Sequence, residues 1–129
     1  MSPARAFLLA AGLGLLLLLP GAPAAQVQQE VASAPGAVLR GLDKVSGTTS
    51  DLRVETGGSA TFGRLTITLT DCRYPVENPA ADAFAFVTIH DALVPEGAVF
   101  EGWMNAASPA LNALDHARFD IWLLRCTTS

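Results

Sequence analysis

Side chains that carry catalytic chemistry are scarce in this sequence. Among 129 residues there are two histidines, two cysteines and one tyrosine. No serine stands in a Gly-x-Ser-x-Gly turn, and no glycine-rich segment has the form of a phosphate-binding loop. These absences argue against a serine hydrolase and against a nucleotide-binding enzyme. We therefore expect no catalytic residues, no cofactor and no small-molecule substrate.

Positive charge is also sparse, and no run of basic residues forms. The chain has eight Lys and Arg against twelve Asp and Glu, a formal net charge of −4 at pH 7. Phosphate binding depends on clustered cations, so this pattern argues against a nucleic-acid partner and against docking to anionic lipid. The cations that follow Arg5 are Arg40, Lys44, Arg53, Arg64, Arg73, Arg118 and Arg125.

One long apolar run occupies the start of the chain. Residues 6–19 follow Arg5 and precede Pro20-Gly21 and the small residues of 22–25. At about 1.5 Å per helical residue such a run spans ~21 Å, which is short of the ~30 Å of a bilayer core. We predict a secretory signal peptide over residues 1–25, cleaved on export, rather than a retained membrane anchor. No cysteine follows the run, which argues against a lipoprotein.

Export would place the two cysteines in an oxidising compartment. Two cysteines in a small secreted domain predict one disulfide, between Cys72 and Cys126. A redox-active thiol pair is the alternative, but that chemistry favours the close Cys-x-x-Cys spacing. A bond between Cys72 and Cys126 would close a loop of roughly fifty residues, which stabilises the folded state by roughly 4 kcal/mol in the chain-entropy model. We therefore predict a structural disulfide.

After the signal peptide, we predict a flexible lead-in over residues 26–36 and a single β domain over residues 37–129. The lead-in lacks an apolar period and ends in Ala34-Pro35-Gly36. Residues 65–70 then alternate apolar side chains with threonines, and residues 84–89 and 119–124 form two further extended runs. About six or seven short strands are expected. This pattern predicts an all-β fold, a small sandwich or barrel.

One short helix is predicted within this β domain. Ser108 followed by Pro109 is typical of a helix start, with the serine as N-cap and the proline in the first turn. Leu111 and Leu114 would then share one face of the helix.

The histidines offer the one candidate site for metal or acid–base chemistry. His90-Asp91 and Asp115-His116 each pair an imidazole with an adjacent carboxylate, as zinc ligation or general-base catalysis would need. No His-x-x-x-His or His-x-His spacing supports them. The alternative function is therefore a small periplasmic enzyme or metal-binding protein that uses His90, Asp91 and His116. A carrier that holds an apolar ligand between its sheets is a third hypothesis.

Trp103, Met104 and Trp122 are the candidate partner-binding residues. Trp103 and Met104 are neighbours on a predicted strand, so their side chains point to opposite faces, unless a bend takes both into the core. Trp122 and Leu124 lie opposite a face already filled by apolar residues. That second face needs cover from another layer or from a partner, and Trp and Met are both favoured at interfaces.

Several short segments resemble the domain of unknown function 2155 family. The most specific is Gly102-Trp103-Met104 followed by residues 108–111 (Ser-Pro-Ala-Leu), and the similarity covers nearly the whole chain after the leader. The other segments are Gly41-Leu42-Asp43-Lys44, Phe62-Gly63, Cys72, Asp120-Ile121-Trp122 and Cys126.

The resemblance implies a location and a class of partner. Members of this family are small exported proteins of alphaproteobacteria with no enzymatic activity attached to them. Their genes tend to lie beside one for an accessory subunit of the respiratory NADH–quinone oxidoreductase. The resemblance thus implies a non-catalytic periplasmic protein, an accessory or assembly subunit that binds a membrane complex at its periplasmic face.

Overall fold

The computed structural model describes Gly21, residues 30–79 and residues 81–128. These residues form eight strands and one short 3-10 turn (Pro109–Leu111). The strands are β1 (Val31–Ser33), β2 (Gly36–Asp43), β3 (Thr49–Glu55), β4 (Ser59–Phe62), β5 (Leu65–Pro75), β6 (Phe84–Asp91), β7 (Phe100–Asn105) and β8 (Phe119–Thr127). No helix among the described residues is long and apolar enough to cross a membrane.

The strands make two antiparallel sheets. The first sheet has the order β1-β5-β6-β7, and β4 pairs with the N-terminal half of the long strand β5 on the same edge as β1. The second sheet has the order β3-β2-β8. Both sheets contribute side chains to one core. The predicted all-β fold is therefore confirmed, as a sandwich.

Alternation along the strands builds that core. Leu65, Ile67 and Leu69 are fully buried, and the threonines between them face outward and are only half-buried. In β8 the buried side chains are likewise every second residue, at Phe119, Ile121 and Leu123. Each such aliphatic side chain contributes about 1.5–3 kcal/mol by leaving water. Every second side chain of these strands is buried, as the alternation in the sequence predicted.

A disulfide joins the two sheets, as predicted. Cys72 of β5 is bonded to Cys126 of β8, with the two Cα atoms 5.8 Å apart. Both side chains are buried in the core.

A tight hairpin joins β4 to β5. Gly63 and Arg64 form a two-residue turn between β4 and β5, with Phe62 paired to Leu65. Gly63 has φ +59°, and the non-glycine residues described all have negative φ, which is the pattern of a type II′ turn. A Cβ on Gly63 would lie 2.7 Å from the Phe119 ring. Both the positive φ and this close approach therefore require glycine at this position.

The predicted helix is wrong, because only the 3-10 turn forms. The Ser108 side chain makes no capping hydrogen bond. The Asn105 side chain accepts the backbone N–H of Ala107 and Ser108 instead, at 2.8 and 3.2 Å. Asn112 then takes an extended conformation and donates its side-chain amide to the Trp103 carbonyl oxygen. Helical continuation would break these local bonds.

The exposures of Leu111 and Leu114 also contradict the predicted helix. Leu114 is buried, but Leu111 is 76% exposed, so the two side chains do not share a face.

The predicted flexible lead-in contains a strand. Val31–Ser33 pair with Arg73–Pro75 of β5, and the Ala34 N–H donates to the Cys72 carbonyl oxygen. Backbone pairing with a neighbouring strand, which local composition does not reveal, orders these residues. The predicted signal peptide lies outside the described residues apart from Gly21, as do residues 26–29 of the lead-in.

Candidate interaction surface

Trp103 and Met104 point to opposite faces of β7, as the alternation requires. Met104 is 2% exposed and belongs to the core, whereas Trp103 is 37% exposed on the outer face of the first sheet. Met104 is therefore removed from the predicted partner contacts, because it packs inside the protein. Trp103 remains available.

Trp103 lies within an aromatic surface, a name we use for Val31, Arg73, Phe84, Phe86 and Trp103. Phe86 is paired with Trp103 across β6 and β7, and their rings meet edge to face with centroids 5.4 Å apart. Four of the five residues, all but Phe86, line a groove of about 250 Å³. Edge-to-face pairs of this kind add roughly 0.5–1.5 kcal/mol to the burial of the rings, so Phe86 helps to hold the Trp103 ring in place.

Arg73 gives the aromatic surface a charged rim. Its guanidinium carbon lies 5.1 Å from the centre of the Trp103 ring, a cation–π contact. Its Nε also donates to Asp71 at 2.8 Å, so the guanidinium is held in place by a carboxylate. Val31 is 51% exposed and Phe84 36%. Contiguous exposed apolar side chains beside an arginine are the composition of protein–protein contact sites.

Trp122 lies on a different surface. It is on the outer face of the second sheet, paired with Arg40 of β2, and it is half-buried. A second groove, of about 330 Å³, separates this part of β8 from the segment that follows β7; its lining is Pro109, Ala110, Ala113, Asp120, Ile121 and Trp122. The sequence analysis predicted that another layer or a partner covers the face that carries Trp122. The segment that follows β7 provides part of that layer. The two tryptophans thus do not form one contact site.

A buried carboxylate lies at the opposite end of β6 from Phe84. The Asp91 side chain is only 2% exposed, and no other charged residue in the described part of the chain is buried. It accepts hydrogen bonds from Arg64 Nε at 2.7 Å, from the Leu93 N–H at 2.9 Å and from His116 Nε2 at 2.8 Å. The His116 bond, followed by the Leu93 and Arg64 bonds, holds the pKa of Asp91 well below its ordinary range.

His116 has both ring nitrogens engaged. Nδ1 accepts the backbone N–H of Arg118 and Phe119, at 3.0 and 3.1 Å. An acceptor Nδ1 in a neutral ring places the proton on Nε2, which donates it to Asp91. The imidazole therefore has no lone pair left for a metal ion or for abstracting a proton.

Phe119 fills the centre of this end of the sandwich. Its ring meets Phe62 edge to face with centroids 5.7 Å apart. The guanidinium carbons of Arg64 and Arg118 lie 5.3 and 5.1 Å from its centre. Arg118 also pairs with Asp43, with Nη2 and Oδ2 2.9 Å apart, and the Arg118 hydrogen bond lowers the pKa of Asp43 to about 2.

The three residues of the alternative site do not come together. Asp91 and His116 meet, but His90 points to the other face of β6, where it is exposed and paired with Thr66. Within residues 30–79 and 81–128 no group of three or more His, Cys, Asp or Glu side chains has a metal-binding arrangement. Arg64 and Phe119, which complete the cluster, were not foreseen. They come from separate segments, and no local pattern in the sequence links them.

Comparison with known proteins agrees with the resemblance. A family described as "Uncharacterized protein conserved in bacteria (DUF2155)" matches residues 37–126. The chain belongs to this family.

A relative from Rickettsia prowazekii (strain Madrid E), also described as uncharacterised, extends the comparison. It is 25% identical over 87 residues, which cover 66% of this chain and 56% of the relative. The chain thus spans little more than half the length of that protein. No solved structure matches the chain significantly. The DUF2155 match runs from β2 to the second cysteine, and it contains the aromatic surface except for Val31.

Proposed function

We propose that this protein is a non-catalytic, exported β domain that binds a protein partner through the aromatic surface. The exposure of Trp103 beside Phe84, Val31 and the stacked Arg73 carries the proposal. Burying a tryptophan and its neighbours at an interface is the usual source of large binding energy, since aromatic and arginine side chains dominate binding hot spots.

The use of the polar side chains supports a binding role over a catalytic one. The carboxylate of Asp91 and both nitrogens of His116 are used in bonds within the protein, so the cluster supports the fold. A general base needs a lone pair directed at a substrate proton, and neither residue offers one.

The partner that we propose to test first is a membrane complex at its periplasmic face, the respiratory NADH–quinone oxidoreductase. The family resemblance supports this choice, together with the predicted leader. The groove beside Trp103 suits an apolar or aromatic side chain of such a partner, with Arg73 available to an acidic group at the rim.

Trp103→Ala tests the proposal in native membranes. Detergent-solubilised membranes carrying the tagged protein would be fractionated by size, and the tag followed by immunoblot. We expect the wild-type protein in high-mass fractions with the complex, and the Trp103→Ala protein displaced to the monomer position. Leu111→Ala is the matched control, because Leu111 is apolar and 76% exposed but lies outside the aromatic surface. Wild-type protein that elutes solely as a free monomer would overturn the proposal.

A further inference from the structure

Strand β3 forms a free edge of the second sheet. It pairs with β2 on one side, and no other strand of the described chain is hydrogen-bonded to it. The register between β2 and β3 is unbroken from the pair Gly36–Glu55 to the pair Leu42–Thr49. The outer side of such a strand presents backbone groups without a ladder partner, and an edge of this kind is a template for a further strand.

The hydrogen bonds just beyond the two ends of this ladder show which backbone groups of β3 face outward. The Asp43 N–H donates to the Thr48 carbonyl oxygen, and the Thr56 N–H donates to the Pro35 carbonyl oxygen. Bonded and non-bonded pairs alternate in an antiparallel ladder, so the even-numbered residues of β3 are bonded to β2. The odd-numbered residues direct their N–H and C=O groups away from β2. They are Thr49, Asp51, Arg53 and Glu55.

This outer edge of β3 is accessible. All four odd-numbered residues are exposed. The Glu55 carbonyl oxygen accepts the Gly58 N–H in the turn that follows. The backbone groups of Thr49, Asp51 and Arg53 have no hydrogen-bond partner among the residues that the structure describes. A further strand can therefore pair with β3 along residues 49–53.

The charged side chains of this edge follow an order that is complementary to itself. Leu52 packs against the core, so Asp51 and Arg53 on either side of it project from the outer face of the sheet. Asp51 is paired with Arg40 of β2, whereas Arg53 has no ion pair within the described chain. In a second β3 strand that runs antiparallel, with Leu52 opposite its own copy, Asp51 of each strand lies opposite Arg53 of the other. Arg53 thereby gains a carboxylate partner.

Charge disfavours the neighbouring antiparallel registers. Only odd-numbered residues can bond across the new edge, so the register shifts in steps of two residues. A step in one direction places Asp51 opposite its own copy. A step in the other direction places Arg53 opposite its own copy and Asp51 opposite Glu55. Like charges directly opposite each other destabilise a sheet, so the charges select the register that is centred on Leu52.

Leu52 gives the same register an apolar centre. Its side chain packs against the core but remains only half-buried. In this register Leu52 and its copy form a non-bonded pair, in which the two Cα atoms lie about 4.5 Å apart. The two side chains then cover each other on the inner face, and the exposed part of each leaves water.

We infer that two copies of this chain pair antiparallel through β3, centred on Leu52, as a two-fold symmetric dimer. Each copy contributes the three strands of its second sheet to one continuous sheet. The inference goes beyond the proposed function, because the aromatic surface lies on the first sheet and stays exposed in both copies. A contact of this size is at the weak end of protein interfaces, so we expect a Kd on the order of 10 μM and a monomer in dilute membrane extracts.

Sedimentation velocity of the purified protein measures this dimer directly. The wild-type protein should change from monomer to dimer between about 1 and about 500 μM, a range that brackets the expected Kd. Arg53→Asp places carboxylates opposite each other, and Asp51→Arg places guanidinium groups opposite each other. Each variant should therefore weaken the Kd by roughly tenfold or more. An equimolar mixture of the two variants should dimerise again, because the acidic edge of one variant then lies opposite the basic edge of the other.

Arg125→Asp is the matched control for the charge variants. Arg125 and Arg53 are both exposed, and they lie opposite the same residue, Val38, from the two sides of β2. Because Arg125 is on β8, its replacement should leave the Kd of the dimer unchanged. Thermal unfolding checks that each variant is folded. Trp103→Ala should dimerise like the wild type, which separates this inference from the proposed function.

A cysteine at the centre of the interface tests the register. The two cysteines of the chain are bonded to each other, so Leu52→Cys adds one free thiol, which lies beside its own copy in the dimer. Mild oxidation should link two copies of this variant roughly tenfold faster than it links Ser50→Cys. Ser50 is the matched position, because it lies on the same face of β3 but opposite Val54 of the other copy.

The same measurements can overturn the inference. A wild-type protein that stays monomeric over the whole range, a mixture of the two charge variants that stays monomeric, or equal effects of Arg53→Asp and Arg125→Asp each contradicts it. So does cross-linking of Leu52→Cys that is no faster than that of Ser50→Cys. Capture of a different polypeptide by the Leu52→Cys thiol in native membranes also contradicts it, because the occupant of the β3 edge would then be another protein.

Discussion

The two sheets are joined at both ends, by different chemistry at each end. Where β6 begins, the Cys72–Cys126 disulfide links β5 to β8, and Cys72 pairs with Ala85. Where β6 ends, Asp91 bonds His116, which holds the start of β8 through two backbone N–H groups. The covalent link needs no polar partners around it, and the aromatic surface lies open beside it. The hydrogen-bonded link uses both carboxylate oxygens of Asp91 and both ring nitrogens of His116. The end held by the disulfide is thus the end that carries the exposed aromatic surface.

Breaking the disulfide should have the largest effect on stability. The bond closes 54 residues of chain, for which the chain-entropy model gives about 4 kcal/mol. For a domain of this size that corresponds to a fall in melting temperature of roughly 20 °C. Thermal unfolding of the Cys72→Ser, Cys126→Ser double variant checks it. Wild-type protein reduced with dithiothreitol is the control, since it loses the bond without any substitution. An unchanged melting temperature in both samples would show that the bond has no structural role.

Replacing the buried carboxylate should have the second largest effect. Asp91→Asn keeps the size of the side chain but turns an amide group toward Arg64, Leu93 and His116, which are all donors. Unmatched donors in a buried site cost stability, so we expect the melting temperature to fall by roughly 10 °C. Asp115→Asn is the control, as an exposed carboxylate next to His116. A fall no greater than that of the control would mean that the carboxylate does not join the sheets.

The difference between the two ends also marks what could be predicted from the sequence. The disulfide end follows from local patterns, since the alternation gives the strands and two cysteines allow one pairing. The Asp91 end depends on residues that are 25 to 75 positions apart. The sequence showed Asp91 and His116 as candidates, but it wrongly included His90, because neighbours on a strand face opposite sides.

The same strand geometry explains the partial success with the aromatic residues. Alternation predicted that Trp103 and Met104 point to opposite faces, but it did not decide which one enters the core. The pairing decides it, because Met104 is opposite the fully buried Ala85 and Trp103 is opposite Phe86 on the outer face. The predicted helix failed for a related reason. The Asn105 side chain bonds the turn that follows β7, and a composition typical of a helix start does not reveal this competitor.

The Asp91 end should weaken in acid, whereas the disulfide end should not. The folded state lowers the pKa of Asp91 from its ordinary 3.8, and that of Asp43 to about 2. A depressed carboxyl pKa contributes stability above the unfolded value, and this contribution is lost as pH falls below about 4 toward the folded value. The gap in melting temperature between wild type and Asp91→Asn should be constant from pH 7 to pH 5 and narrow below pH 4. A gap that widens in acid would contradict the sign of the pKa shift.

The smallest effect should come from the exposed part of the same end. Arg118 is 45% exposed at its side chain, so its pair with Asp43 is open to solvent and salt. Arg118→Gln should lower the melting temperature by a few degrees at low ionic strength, because exposed pairs contribute little. In 0.5 M NaCl, where the screening length is about 4 Å, most of that difference should vanish, whereas the Asp91→Asn difference should persist because the Asp91 bonds are buried. Thermal unfolding of both variants at the two salt concentrations makes the comparison. If salt reduced the melting-temperature differences of both variants equally, the Asp91 end would act as one surface cluster, without a buried bond between the sheets.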